Sequence, residues 1–276
     1  MLEPREFFDL EGCSHREVFA EEEPVWSTLD GLKAYIDRCF ADPWPLRGVT
    51  GAVDRPLVIH EGSLVPTDDV EVRPTGKKGK VEAHLGGRVL QGAAIIMPGV
   101  YLFDDRVVIG AGTVVEPGAL LKGPFVVGAD SEVRQGAYVR GDCLVGDGCV
   151  VGHATEIKAS IMLDGAKAGH FAYIGDSILG RDVNLGAGTK LANLKMIAGT
   201  VAVRVEGQRV DTGRRKLGAV LGDRTETGCN SVTAPGTLMG PGSIIYPALA
   251  VPPGFHPGRT YVRPGRGAVQ VQSRRA

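Results

Sequence analysis

Aromatic residues are scarce in this chain: 276 residues hold two tryptophans, six tyrosines and eight phenylalanines, 6% in all. Large rings therefore do not dominate the core, and with forty glycines a helical bundle is a poor fit. No apolar run approaches the ~20 residues of a membrane span. Charge of one sign is missing too: 31 Lys and Arg against 32 Asp and Glu give a net charge of -1. That balance gives no support for a nucleic-acid or membrane-surface partner. Five cysteines (Cys13, Cys39, Cys143, Cys149, Cys229) form no CxxC and no paired framework. Cys143 and Cys149 take the small-residue slot of successive repeats and read as core thiols of a reducing cytoplasm. The N-terminal stretch Met1–Phe19 is acidic and mixed, unlike a signal peptide. No phosphate loop of the GxxxxGK[ST] type and no zinc-type Cys/His spacing is present, so no metal is expected.

What is abundant is a period. From Ile109 an aliphatic or small residue returns about every six positions: Val115, Leu121, Val127, Val133, Val139, Val145, Val151, Ile157, Met162, Ala168, Ile174, Leu179, Leu185, Leu191. Glycine often follows directly, as at Gly110, Gly128, Gly146, Gly152, Gly175, Gly180 and Gly186. A second series runs Leu221, Thr227, Thr233, Met239, Ile245, Val251. A six-residue period is neither the 3.6 of a helix nor the alternation of a plain strand. It predicts a β-solenoid, each repeat a short strand and a turn, with three repeats to a triangular coil.

The rest of the chain divides around that series. Residues 1–42 read as a helical N-terminal extension, with Trp26, Leu29, Leu32, Ile36 and Phe40 at helical spacing and Ser27 or Thr28 as candidate cap. Residues 43–94 form a β-rich connecting region with short strands at 57–59, 70–72 and 80–84. The solenoid occupies 95–255, interrupted at 196–215 by a hairpin that turns at Glu206-Gly207 and projects from the coil. Residues 256–276, rich in Pro, Gly and Arg, read as an irregular tail. Two five-residue steps, Ile157 to Met162 and Ile174 to Leu179, shorten one corner and re-aim the side chains there.

His170 lies between those two steps, beside Tyr173 and close to Asp176, in the densest polar cluster of the repeats. An imidazole there suits removal of a proton from an attacking amine. Other histidines, such as His153, sit in ordinary repeats or in weakly patterned segments. Arg140 and Lys158 are eighteen residues apart, so they stack on one face of adjacent coils. They read as a clamp for phosphate or carboxylate, or as two solvated charges. Asn184 and Asn193 are candidate polar contacts or turn residues, and Lys216 closes the hairpin with three cations at its base.

Four stretches, Glu156–Ser160, Lys167–Asp176, Asp182–Thr189 and Asp211–Asp223, carry a family resemblance. The first three resemble the acetyltransferase half of bacterial UDP-N-acetylglucosamine synthesis enzymes. The last is similar to archaeal sugar-1-phosphate nucleotidylyltransferase/acetyltransferases. The resemblance implies an all-β left-handed parallel β-helix of hexapeptide repeats, with a short helical N-terminal extension and a projecting β-hairpin. It implies a homotrimer that transfers acetyl from acetyl-CoA to an amino-sugar 1-phosphate in nucleotide-sugar synthesis. His170 would then be the general base, with Asn193 orienting the amine or the base. Arg140 and Lys158 would hold the phosphate, and Tyr173, Asn184 and Lys216 would position the sugar. The cofactor would lie between protomers near Cys229 and Pro247. Where the bacterial enzymes read Asn-Tyr-Asp-Gly, Asn193–Met196 reads Asn-Leu-Lys-Met, and no nucleotide loop of the GxGTRM type occurs. These departures leave a second expectation, a catalytically silent trimer that binds sugar phosphates or sugar nucleotides as a scaffold or regulator.

Overall fold

The computed structural model describes residues 2–40, 44–66, 68, 70–76, 80–265 and 269–273. The six-residue period winds into a parallel β-coil of about nine turns with three faces. Tyr138–Arg140, Glu156–Lys158 and Tyr173–Gly175 lie on the first face. Val150–His153, Lys167–His170 and Asn184–Leu185 lie on the second, and Cys143–Val145, Ser160–Met162 and Ala219–Leu221 on the third. Val139 pairs with Ile157 and Ile157 with Ile174, so the periodic residues stack into one inner column of full burial. Coils are eighteen residues long from Val114 to Val150, and the two five-residue steps shorten the next two, Val150 to Lys167 and Lys167 to Asn184, to seventeen each.

Two devices close the corners. Hydroxyls four places after the inner residue bind neighbouring backbone: Thr113 Oγ1 donates to Gly128 O at 2.6 Å and accepts from Ser131 N at 2.9 Å. Cys149 continues the ladder, its thiol donating to Leu163 O, and burial pushes that thiol and Cys143 up to about 12. Glycine then answers close approach. A Cβ on Gly152 would stand 1.9 Å from Gly169 O, so no side chain fits between those coils.

The third face is apolar on both sides. The middle residue of each of its strands (Val108, Val126, Leu144, Ile161, Ile178, Val220, Leu238, Phe255) points outward into a second core. That core is completed by Phe7, Phe8, Trp26, Leu29, Leu32 and Ile36 from the N-terminal extension and by Val201 and Val203 from the hairpin. Phe7 meets Phe255 edge-on at 5.7 Å. Asp223 fastens the extension, accepting from Asp9 N at 2.7 Å and Arg181 N at 2.8 Å while its own N–H donates to Phe7 O.

Several expectations meet a different structure. The extension holds one eleven-residue helix, Thr28–Arg38, and three single 3₁₀ turns at Pro4–Glu6, Arg16–Val18 and Val25–Ser27. Ser27 stands at the N-cap, but its hydroxyl turns back to Pro24 O at 2.8 Å and caps nothing, and Thr28 Oγ1 is buried without a partner. The boundary expected at residue 42 lies outside the described residues. The hairpin, Ala202–Val205 with Gln208–Asp211, turns on two left-handed residues, Glu206 (φ 50°) and Gly207 (φ 81°). It folds back along the third face instead of standing free, because Val203 is fully buried there.

The tail expected to be irregular continues the coil. Gly254–His256 stacks on Thr237–Met239, Thr260–Pro264 stacks on Ile244–Ile245, and Val269–Ser273 caps the edge antiparallel. His256 fills the inner position that Met239 fills one coil earlier, which hides the period from an aliphatic pattern. At the other end Gly51–Ala52 and Leu57–His60 pair antiparallel with the first coil, so the second-face sheet carries an antiparallel strand at each end.

Ile36 is fully buried between helix and coil. Ile36→Ala lowers stability by about 3 kcal/mol in urea unfolding. An effect below about 0.5 kcal/mol would mean that the extension is not part of the cooperative fold. Burial also pushes His256 and His15 below the ordinary imidazole value of 6.5, against a weaker opposing effect at His256 from Nε2–H donating to Pro252 O. Between the lowered folded value and 6.5 the unfolded chain binds more protons, so stability falls as pH drops below about 6.5. His256→Gln flattens that slope; an unchanged slope of urea stability between pH 5 and 7 would contradict the assignment.

Candidate active site

Two groups of polar side chains sit at opposite corners of the first face. The first is a hydrogen-bonded network at the corner toward the third face. Asp176, buried and left-handed (φ 45°), receives Lys158 Nζ at 2.7 Å and Asn193 Nδ2 at 2.5 Å. Tyr173 OH donates to Asn193 Oδ1 at 3.3 Å. The network closes over Gly175, where a Cβ would lie 2.7 Å from both Asn193 Nδ2 and Tyr173 OH. Lys158 and Asp176 are 18% and 8% exposed, so this ion pair is mostly removed from solvent.

Arg140 stands one coil before Lys158 on the same outer column, about 4.8 Å away along the stack. The two cations do not face each other bare. Arg140 pairs with Glu156 at 2.6 Å, a contact that raises its pKa, as Lys158 pairs with Asp176. Lys216 reaches the network through the backbone: Leu194 bridges Lys216, and Leu217 N donates to Asn193 O at 3.0 Å. A cleft of about 650 Å³ opens there, lined by Asp30, Asp176, Leu194, Arg214, Arg215 and Lys216. Arg214 pairs with Asp30 of the N-terminal helix, so the extension forms one wall of the cleft.

The second group lies at the corner between the second and first faces. His170 ends the strand Lys167–His170 and stacks on His153 of the preceding coil. Phe171, left-handed at φ 52° and 55% exposed, places its ring edge-on to His153 at 5.1 Å and 6.4 Å from His170. His153 Nδ1 donates to Gln135 O at 2.9 Å, whereas the exposed His170 ring forms no hydrogen bond with any described residue. Asn184 is exposed on the second face beside Lys167.

Backbone hydrogen bonds follow this corner upward: Gly188 N to His170 O, Asn230 N to Ala187 O, Ala248 N to Cys229 O. His170, Ala187, Cys229 and Pro247 therefore share one corner column, with Cys229 and Pro247 exposed. No hydrogen bond in the described chain links His170 to the Asp176 network, although the sequence puts them six residues apart. They occupy opposite corners because the strand Tyr173–Gly175 spans the face between them.

Glu156 and Asp30, the carboxylates that complete the ion pairs, escape a reading of single repeats. The 18-residue spacing that joins Arg140 to Lys158 also reaches back to Lys122, which pairs directly with Arg140 across the coil. That signal was available in the repeat itself.

The family model described as the GMPPB C-terminal domain matches residues 121–212. A bifunctional sugar-1-phosphate nucleotidylyltransferase/acetyltransferase of Sulfurisphaera tokodaii is 44% identical over 101 residues, 37% of this chain and 25% of that protein. Bifunctional protein GlmU of Methanococcus vannielii is 42% identical over 95 residues, 34% of this chain and 23% of that protein. GlmU of Prochlorococcus marinus is 39% identical over 94 residues, 34% of this chain and 17% of that protein. The chain thus spans a quarter or less of the length of these curated relatives.

Asp176→Asn strands the Lys158 ammonium and lowers stability on the order of 3 kcal/mol, measured by urea unfolding. The double substitution Lys158→Met with Asp176→Asn, which keeps a residue that tolerates the left-handed backbone and an oxygen for Asn193, recovers most of that loss; equal losses in the single and double variants would show that the ion pair is not what the corner depends on. With this network and the corner column described, the β-helical part of the chain stands as a relative of the bifunctional sugar-1-phosphate nucleotidylyltransferase/acetyltransferases, similar to them over roughly a third of its own length.

Proposed function

We propose that this chain is an acetyl-CoA-dependent N-acetyltransferase whose acceptor is an amino-sugar 1-phosphate of the glucosamine 1-phosphate kind, acting as a homotrimer in nucleotide-sugar synthesis. The observation that carries the reading is a juxtaposition. An exposed imidazole, His170, opens a corner column that continues to Cys229 and Pro247, and the adjoining face presents Arg140, Lys158, Tyr173 and Asn193. The activities for which the Sulfurisphaera tokodaii relative is named, sugar-1-phosphate nucleotidyl transfer and acetyl transfer, support the same substrate class.

In this reading the sugar amine attacks the thioester carbonyl carbon. The C–N bond forms, His170 takes the proton that the nitrogen releases, the C–S bond breaks, and the departing thiolate receives the proton back from the imidazolium. The acetyl-CoA thioester lies along the corner column, and Cys229 and Pro247 border its chain. Arg140 gives the phosphate a planar fork and Lys158 a point charge. Asn193, fixed by Asp176 and Tyr173, and Asn184 and Lys216 supply the polar contacts that orient the sugar. The unpartnered His170 ring fits a cleft completed by a neighbouring protomer, which is why the trimer belongs to the proposal.

His170→Ala lowers kcat by about 10²–10⁴-fold with the oligomer intact, followed as thiol release from acetyl-CoA and glucosamine 1-phosphate. Full activity in that variant removes His170 from the chemistry. Wild-type protein that shifts its melting temperature with glucosamine 1-phosphate yet releases no thiol would be a binding protein instead.

A further inference from the structure

Phe103, Lys122, Arg140 and Lys158 form one outer column on the first face, one residue per coil. Lys122 is the member that the acceptor site above leaves without a role. Its ammonium lies 4.5 Å from the Phe103 ring centroid and 5.5 Å from that of Tyr138, and it pairs with no carboxylate among the described residues. The Arg140 guanidinium lies 6.0 Å from the centroid of the same Tyr138 ring. Phe103 is 58% exposed and its neighbour Tyr101 45%, at the far end of the column from Asp176. Each step of the column is one strand spacing, about 4.8 Å.

We infer that this column is a nucleoside-diphosphate subsite, so that the acceptor is a nucleoside-diphosphate ester of an amino sugar and not only its 1-phosphate. The inference rests on the acceptor reading of the Lys158–Asp176–Asn193 network. With the sugar at that network, Arg140 and Lys122 are two cations set one coil apart, which suits two linked phosphoryl groups. Phe103 then stands one coil further on, where the base lies, and offers an open ring face for stacking. Arg140 gives up Glu156 at little cost, because the pair is exposed and of the kind that an arriving anion replaces. A monophosphate is met by Arg140 and Lys158 alone and gives Lys122 and Phe103, which lie against each other, no part in binding.

The test is calorimetric titration of the full chain with glucosamine 1-phosphate and with the UDP, GDP and dTDP esters of glucosamine, repeated for Lys122→Ala and Phe103→Ala. At least one ester binds tenfold or more tightly than the monophosphate. Each substitution weakens that ester about tenfold, and at least fivefold more than it weakens the monophosphate. The inference is overturned if none of the three esters exceeds the monophosphate, or if the substitutions weaken ester and monophosphate alike. Melting curves of both variants confirm that these surface changes leave the fold standing. Ester binding that depends on Lys122 and Phe103, without thiol release from any acceptor, would end the acetyl-transfer reading and keep the subsite. Acetylation of glucosamine 1-phosphate without preference for an ester would do the reverse.

Discussion

A parallel β-coil stacked at one strand spacing sets each residue above its counterpart seventeen or eighteen positions later. That constraint governs the rest of the molecule. It makes the inner column continuous, so Val139, Ile157 and Ile174 bury one another without help from aromatic residues. It brings backbone so close at the corners that Gly152 admits no side chain against Gly169. It also turns surface positions into columns. Cations repeat on the first face at Lys122, Arg140 and Lys158, whereas the second corner sets unlike residues in register, His170, Ala187, Cys229 and Pro247. On the proposed reading, a ligand would be met along the stack, one side chain per coil.

The same constraint creates a liability on the third face. Where the middle residue of every strand is aliphatic or aromatic, stacking yields a continuous apolar strip on the outside of the solenoid. The N-terminal extension and the hairpin cover it. Their cover is specific, for the Asp223 N–H donates to Phe7 O while its carboxylate accepts from Asp9 N, and Arg214 of the hairpin base pairs with Asp30 of the helix. The extension is therefore tied to the candidate site as well as to the core, since Asp30 and Arg214 wall the cleft beside Asp176. Loosening the third face would move that wall.

Much of the coil was legible because one residue in six sufficed to see it. The inner positions from Ile109 to Val251, the five-residue steps and the Glu206-Gly207 turn are all local patterns, and the structure places strands and turn there. The apolar strip was missed although it is as periodic: Val126, Leu144, Ile161 and Ile178 recur once per coil, three repeats apart, too far for a six-residue reading. The end of the coil was missed for a chemical reason. His256 takes an inner place, and a histidine does not register as core. At the candidate site, the spacing of Arg140 and Lys158 was readable from coil length. Their carboxylate partners were not, since Glu156 and Asp176 sit in the next coil and their side-chain directions depend on corners the sequence does not draw.

The two corners of the first face differ in how their charge is held, and this bears on what each can do. At the Asp176 corner the ammonium of Lys158 is mostly buried, and its carboxylate also accepts from Asn193. An anion arriving there meets an ammonium already held by a desolvated partner, so Lys158 can hold a phosphate as a fixed point charge but does not make the first capture, and Asn193 fixes geometry. Capture falls to the exposed members of the same column, Arg140 and Lys122, whose present partners are a solvent-facing carboxylate and two ring faces. At the opposite corner His170 has neither a charge partner nor a hydrogen bond within the described chain, so its ring is free to meet a proton donor brought by a ligand or a second chain. A hydrogen-bonded polar network at one edge, replaceable contacts along the column and an unengaged imidazole at the other edge are consistent with the proposed site, in which an anion would bind first and a proton would move afterward.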